Sequence, residues 1–132
     1  MTFSLTARCP DTGMFGMAIS SSSPAVAARC VHLRAKVGAV ASQNITDPAL
    51  GQIGLDLLAR GLSAREVCDA LVASTPFIAY RQLVVVDARG RTTSYSGSGC
   101  AQAPLSLLPR TAVRGAISRN LSNISGFTMS PA

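Results

Sequence analysis

The sequence contains no tryptophan, two tyrosines and four phenylalanines, so any hydrophobic core has to be built from Val, Leu, Ile, Ala and Met. It has a single histidine, His32, which excludes most nucleophile–histidine–acid triads. No G-x-S-x-G elbow, H-E-x-x-H pair or phosphate-binding P-loop occurs. Acids are scarce: the six Asp and Glu all lie between Asp11 and Asp87. Paired carboxylates for acid–base work are hard to assemble from so few, and Asp47 and Asp56 read better as a helix cap and a helix-surface residue. Cys9, Cys30, Cys68 and Cys100 are widely spread with no CxxC pair. A zinc site needs three or four convergent nitrogen or sulfur ligands, and Cys30-Val-His32 alone does not supply them. Buried free thiols are therefore expected, with no metal and no cofactor.

Two further absences concern location. No run of roughly 18 apolar residues exists, so no membrane span is expected. Residues 1–15 hold Arg8 and Asp11 and lack a charged segment followed by an apolar core. No secretory signal is visible, a cytoplasmic location is expected, and the sequons at Asn44, Asn120 and Asn123 then carry no meaning for glycosylation.

What is present is an apolar, basic chain. Of 132 residues 48% are hydrophobic and 14% charged, a composition that suits one well-buried globular domain. The net charge is +6, and from Ser98 to Ala132 the chain has no acid while carrying Arg110, Arg114 and Arg119. Without lysine clusters or interleaved aromatics such a tail is a weak nucleic-acid signal, and no nucleic-acid partner is expected.

The chain opens as a hairpin. Phe3 and Leu5 alternate with Ser4 and Thr6, Pro10-Asp11-Thr12-Gly13 supplies a turn, and Met14 to Ile19 forms the returning strand. Ser20 to Ser23 and Pro24 stop it, and Ala25 to Cys30 fits a helical turn or a loop. Val37 to Ala41 is a short buried strand whose polar sequel, Ser42-Gln43-Asn44, suits a chain leaving the core. Asp47 as N-cap and Pro48 at the first helical position open a helix in which Leu50, Ile53, Leu57 and Leu58 recur at helical spacing up to Gly61. Ser63-Ala-Arg-Glu66 is a capping box that starts a second helix with Val67, Ala70 and Leu71 on its apolar face. Gln82 to Asp87 is a β-branched strand, turned by Ala88-Arg89-Gly90 into a second arm over Arg91 to Ser96. The order predicts a helical pair on a mainly antiparallel sheet. Beyond Gly97 periodicity fades, and Ala112 to Leu121 fits a strand or a weak helix equally. The expected organisation is a core over residues 1–97 and an irregular segment over 98–132.

With the usual constellations absent, the second residue carries the remaining chemistry. Threonine is small, so Met1 is readily removed, leaving a hydroxyl and an α-amine on Thr2. That amine ordinarily titrates at about 7.7–8.0. Part of it is unprotonated near neutrality and can take the hydroxyl proton, directly or through water, without a histidine. Met-Thr is a common start, and on its own it means little.

The blocks around it add weight. Thr2 to Arg8, Gly16 to Ala27, Arg34 to Gln43, Asp47 to Gly51, Gly54 to Leu58, Tyr80 to Asp87, Gly90-Arg91 and Ser96-Gly97 follow in order, and together they resemble the uncharacterised DUF1028 family. The resemblance implies an α+β fold, an Ntn-hydrolase-like αββα sandwich with mainly antiparallel sheets, in which Thr2 takes the place of an N-terminal nucleophile. Enzymes of the Ntn class cleave amide bonds. The end of the second strand and the start of the third then flank the nucleophile, which brings in Ser21 from the serine run and a cation from Arg34 or Lys36. Arg34 is favoured, because the family usually has glycine where this chain has Lys36. Gln43 and Asn44, with Ser42, are candidate donors to an oxyanion. After Gly97 the sequence departs from the family's Gly-Asn-containing strand, having Arg119-Asn120, and a truncated or altered sandwich is expected, with uncovered apolar surface that favours a homodimer.

Two functions follow from that resemblance. One is an Ntn-type amidohydrolase acting on a small amide or peptide-like molecule; the other is a catalytically silent domain serving as a dimerising or small-ligand-binding scaffold.

Overall fold

The computed structural model describes residues 2–100, 106–107 and 114–119. Strands β1 (Thr2–Arg8) and β2 (Phe15–Ser21) form the opening hairpin, followed by a short helix α1 (Val26–Cys30), an antiparallel pair β3 (Val31–Arg34) and β4 (Gly38–Asn44), and helices α2 (Pro48–Ala59) and α3 (Ala64–Ser74). A 3-10 turn at Ile78–Tyr80 leads into β5 (Arg81–Asp87), then β6 (Thr92–Ser96), β7 (Ser106–Leu107) and β8 (Arg114–Arg119). Two four-stranded sheets result, in the orders β2-β1-β8-β7 and β3-β4-β5-β6, with every pairing antiparallel. The α+β sandwich expected from the sequence is present. No helix among the described residues is long and apolar enough to cross a membrane.

Helices α2 and α3 start where their caps dictate. The Asp47 carboxylate accepts from the Ala49 amide at 3.1 Å with Pro48 beside it. Ser63 and Glu66 close a reciprocal capping box, Glu66 Oε2 accepting from the Ser63 amide at 2.8 Å. A cap of either kind is worth about 1 kcal/mol. The buried stripe of α2 differs from the expected one. Leu50, Gly51, Gly54, Leu55 and Leu58 face inward, whereas Ile53 is exposed. The two glycines decide this, because they let the helix press on the sheet: the His32 ring lies against Gly51, and Val40 lies against Gly54.

Strand β5 is buried along its whole length because both faces are covered. Leu83 and Val85 join Val40, Leu58, Val67 and Leu71 in the core under the helices. Val84 and Val86 join Ala39 and Ala41 against Phe15 and Met17 of the other sheet. At the far end of β5, Asp87 is buried and ties the β5–β6 turn to the start of α3. Its carboxylate accepts from the amides of Ala64, Arg89 and Arg91 and pairs with Arg91 Nε at 2.6 Å. Burial pushes this carboxyl up, but the hydrogen bonds from Arg91, Ala64 and Arg89 outweigh it and hold it below the ordinary carboxylate range.

At three places the structure adds to the sequence reading or corrects it. Val31–Arg34 is a strand of its own, paired through His32 with Val40. Ser42 and Gln43 do not leave the core: both are buried within β4, since the second sheet and the helices cover that strand to its end. Strand β8 pairs with β1 from Phe3↔Arg119 to Arg8↔Arg114, which settles the choice over this stretch in favour of strand.

Candidate functional site

Strand β1 turns an unusual face inward. Ser4 and Thr6 are its buried residues, and the strand's two-residue period places Thr2 on the same side. Across the gap, Gln43 of β4 donates from Nε2 to Ser4 Oγ. Gln43 Oε1 and Thr6 Oγ1 are buried without a hydrogen-bond partner among the described residues. Next to Gln43 in register stands Gln82, whose Nε2 donates to Ser96 Oγ at 3.3 Å. The two sheets thus meet through a polar seam at this end, and through Ala39, Ala41, Val84 and Val86 at the other.

Thr2 lies just beyond that seam, directly opposite Ser21 in the β1–β2 register. The two hydroxyl oxygens are 3.0 Å apart. The Ser23 amide donates to Ser21 Oγ at 3.1 Å, so one lone pair of Ser21 is occupied and its own O–H is free to donate to Thr2. Ser23 Oγ in turn accepts from Arg29 Nη2 at 2.7 Å, while Arg29 Nη1 donates to the Pro24 carbonyl at 3.1 Å. The local sequence accounts for this chain of contacts. Pro24 ends β2, Ala25 takes a left-handed conformation (φ 51), and the single turn of α1 that follows carries Arg29 back over the serine run.

The same end of the sandwich holds the close of β4 and the start of β5. Asn44 is left-handed (φ 71), and its Nδ2 donates to the Tyr80 carbonyl at 2.7 Å and to Cys100 Sγ at 3.3 Å. Arg81 donates to the Ile45 carbonyl at 3.0 Å and faces Asp47 at 3.6 Å. Ile45, Phe77 and Tyr80 present large exposed apolar surfaces there. Gly97 packs so tightly on the Ala79 backbone that a side chain would clash, which keeps the end of β6 against this turn.

Of the residues singled out in the sequence, Thr2 and Ser21 come together. Gln43 comes close to Ser4, one inward position along β1 from Thr2, with an Nε2 proton already engaged. Asn44 commits its amide to Tyr80 and Cys100. Arg34 stands apart from Thr2. It pairs with Asp56 of α2 at 2.8 Å, on the helix side of the sheet, and lies opposite Gly38. That is five residues of β4 away from Gln43, about 17 Å at a strand's rise of ~3.3 Å per residue. Lys36 sits in the β3–β4 turn with φ 63, a backbone conformation that favours glycine. The cation that does reach the Thr2 cluster, Arg29, was not singled out in the sequence. Its signal there is faint: an arginine six residues after Ser23, beyond the proline that ends the serine run.

Other groups lie elsewhere. A surface cleft of about 560 Å³ is lined by Leu58, Leu62, Glu66, Asp87, Arg89 and Arg91 among others; it opens at the Asp87 end of the sheet, away from Thr2. All four cysteines are free, three of them buried and Cys9 half-buried. Among the described residues no group of three or more His, Cys, Asp or Glu is placed to hold a metal ion.

The sequence profile of the DUF1028 family, a family of unknown function, matches residues 2–120. It therefore continues past Gly97 and through β8. No curated protein matches the chain. A crystal structure of a DUF1028 protein from Silicibacter pomeroyi superposes with a TM-score of 0.77 at 26% identity, covering 88% of this chain and 52% of that one. The chain spans about half the length of that relative. With a profile match over nearly its whole length and the same fold in that relative, the chain belongs to the DUF1028 family.

Proposed function

We propose that the protein is an Ntn-type amidohydrolase of small amide or peptide-like substrates, with Thr2 as nucleophile and its own α-amine as base once Met1 is removed. The observation that carries this reading is the Thr2–Ser21 contact of 3.0 Å at the mouth of the sandwich. In the proposed reaction the amine takes the Thr2 hydroxyl proton while Oγ1 attacks the amide carbon. Ser21 donates to Thr2 Oγ1 and holds that oxygen in place for the attack. The C–N bond breaks, the leaving amine takes the proton from the Thr2 ammonium, and an ester to Thr2 remains. A water molecule then hydrolyses that ester, returning the hydroxyl and releasing the carboxylic acid. Gln43 serves as a positioning residue: its bond to Ser4 fixes β1, and hence Thr2, against the second sheet.

The intact mass of the purified protein tests the premise. Loss of Met1 is expected. A chain that retains it has no free threonine amine, and the proposal fails.

One observation favours a second reading. Helices α2 and α3 pack on strands of the β3-β4-β5-β6 sheet, and Gly16, Ala18 and Ser20 on the outward side of β2 are exposed, which suits a silent scaffold that pairs with a second copy. Sedimentation equilibrium and an amide panel together separate the two: this reading requires a dimer and no amide turnover.

A further inference from the structure

Five of the six acids in the sequence are spoken for. Asp47 caps α2 and faces Arg81, Asp56 pairs with Arg34, Asp69 with Arg65, and Asp87 with Arg91. Glu66 closes the capping box. The sixth, Asp11, belongs to the β1–β2 hairpin turn, at the opposite end of β1 from Thr2. No Asp or Glu occurs after Asp87 in the sequence, and among the described residues no acid pairs with Arg29.

Several arginines lack an acid in so basic a chain. Arg29 differs from them in where it is held. Its guanidinium is fastened at two points, to Ser23 Oγ at 2.7 Å and to the Pro24 carbonyl at 3.1 Å. Both acceptors are neutral, and the side chain remains exposed. Through Ser23 and Ser21 it stands three hydrogen bonds from Thr2 Oγ1. A guanidinium has five donors in a rigid fork, and two contacts among the described residues leave the rest of that fork open. Fixing the head by neutral groups lowers the ordering cost of binding an anion and leaves its charge uncancelled. At the same end of the sandwich Ile45, Phe77 and Tyr80 are exposed, and Arg81 is already held by Asp47 and the Ile45 carbonyl. The end of the sandwich thus offers an open cation, Arg29, and an apolar surface.

We infer that Arg29 receives a carboxylate of the substrate, so that the molecule bound at Thr2 is an N-acyl amino acid or similar amide with an apolar side chain and a free carboxylate near the scissile bond. This rests on the reading of Thr2 as the reacting group, and the test keeps the two apart. Binding is measured by calorimetry on the full chain carrying Thr2→Ala, with N-acetyl-L-phenylalanine and with its uncharged carboxamide, while turnover of the acid is measured separately on the unsubstituted protein. The acid is expected to bind at least about tenfold more tightly, a factor of the size one charge-assisted hydrogen-bonded contact gives. Arg29→Gln is expected to erase that difference, and Arg29→Lys to keep part of it. Added salt should weaken the acid and leave the carboxamide unchanged. Equal binding of the two compounds, binding of neither, or a preference that survives Arg29→Gln with an unchanged Tm overturns the inference. Preferential binding of the acid without its hydrolysis leaves the Arg29 site standing and removes Thr2 as nucleophile.

Discussion

Gln43 of β4 and Ser4 of β1 are joined by a buried hydrogen bond that crosses from one sheet to the other. Both are almost wholly inaccessible, at 1% exposure each. The contact spans the interior of a sandwich whose neighbouring positions, Ala39, Ala41, Val84 and Val86, are apolar. A polar tie in that place costs desolvation and stabilises only while both partners remain. Gln43→Leu, which strands the Ser4 hydroxyl, is therefore expected to lower stability by about 1–3 kcal/mol. The double variant Ser4→Ala, Gln43→Leu should lie closer to the unsubstituted protein than the sum of the single changes. Urea titrations of all four proteins give the coupling, and strict additivity would show that the bond contributes nothing.

Asp87 makes stability depend on acid. Its folded carboxyl is held below the ordinary carboxylate range, with burial opposed by the stronger set of hydrogen bonds from Arg91, Ala64 and Arg89. A depressed folded value means that the stabilisation is complete above the unfolded value, near 4, and is lost as pH falls through the folded one. Asp87→Asn should lower Tm at neutral pH and narrow the gap to the unsubstituted protein below about pH 4. Thermal melts from pH 7 to pH 3 check this, and a constant gap would assign the stabilisation to shape instead of charge.

Thiol reactivity should divide the four cysteines. Burial pushes the Cys68 thiol up to about 11. Hydrogen bonds from the Thr12 side chain and backbone lower that of Cys9, which is only half-buried. Alkylation with iodoacetamide near neutral pH, followed by peptide mass mapping, should label Cys9 first and leave Cys30, Cys68 and Cys100 until the protein is unfolded. Early labelling of Cys68 would contradict the packing of α3.

Ser21 should matter to rate more than to binding. Its hydroxyl meets the reacting oxygen of Thr2 and orients it for attack. Ser21→Ala is expected to reduce kcat by roughly 10- to 100-fold with little change in KM, in line with the loss of a group that orients the nucleophile. Steady-state kinetics on any hydrolysed amide will show it; an effect confined to KM would make Ser21 a substrate contact.

The helices were legible because their punctuation is local. Asp47-Pro48 and Ser63 to Glu66 act within one turn, and both caps form as the residues suggest. The phase of β1 was not legible, because alternation cannot reveal that the polar members, Ser4 and Thr6, are the buried ones. That depends on Gln43, thirty-nine residues on from Ser4. Ile53 misled for a related reason: periodicity counts apolar residues, whereas Gly51 and Gly54 bring the helix down on His32 and Val40. At the candidate site, Thr2 and Ser21 are neighbours through a hairpin register that the turn at Pro10 to Gly13 already implied. Arg34 was plausible by strand order, but a strand's side chains alternate, and Asp56 draws it to the helix side. Arg29 owes its place to the left-handed Ala25, and a left-handed alanine leaves no mark in a sequence.

The proposed hydrolysis depends on Thr2 as the reacting residue. Hydrolysis of a panel of small amides, including N-acetyl-L-phenylalanine, by the unsubstituted protein and by Thr2→Ala measures this directly. Turnover of at least one amide is expected, falling by about a thousandfold or more in Thr2→Ala and persisting in Thr2→Ser, while the Tm of both variants stays close to that of the parent. Equal turnover in Thr2→Ala would contradict the account.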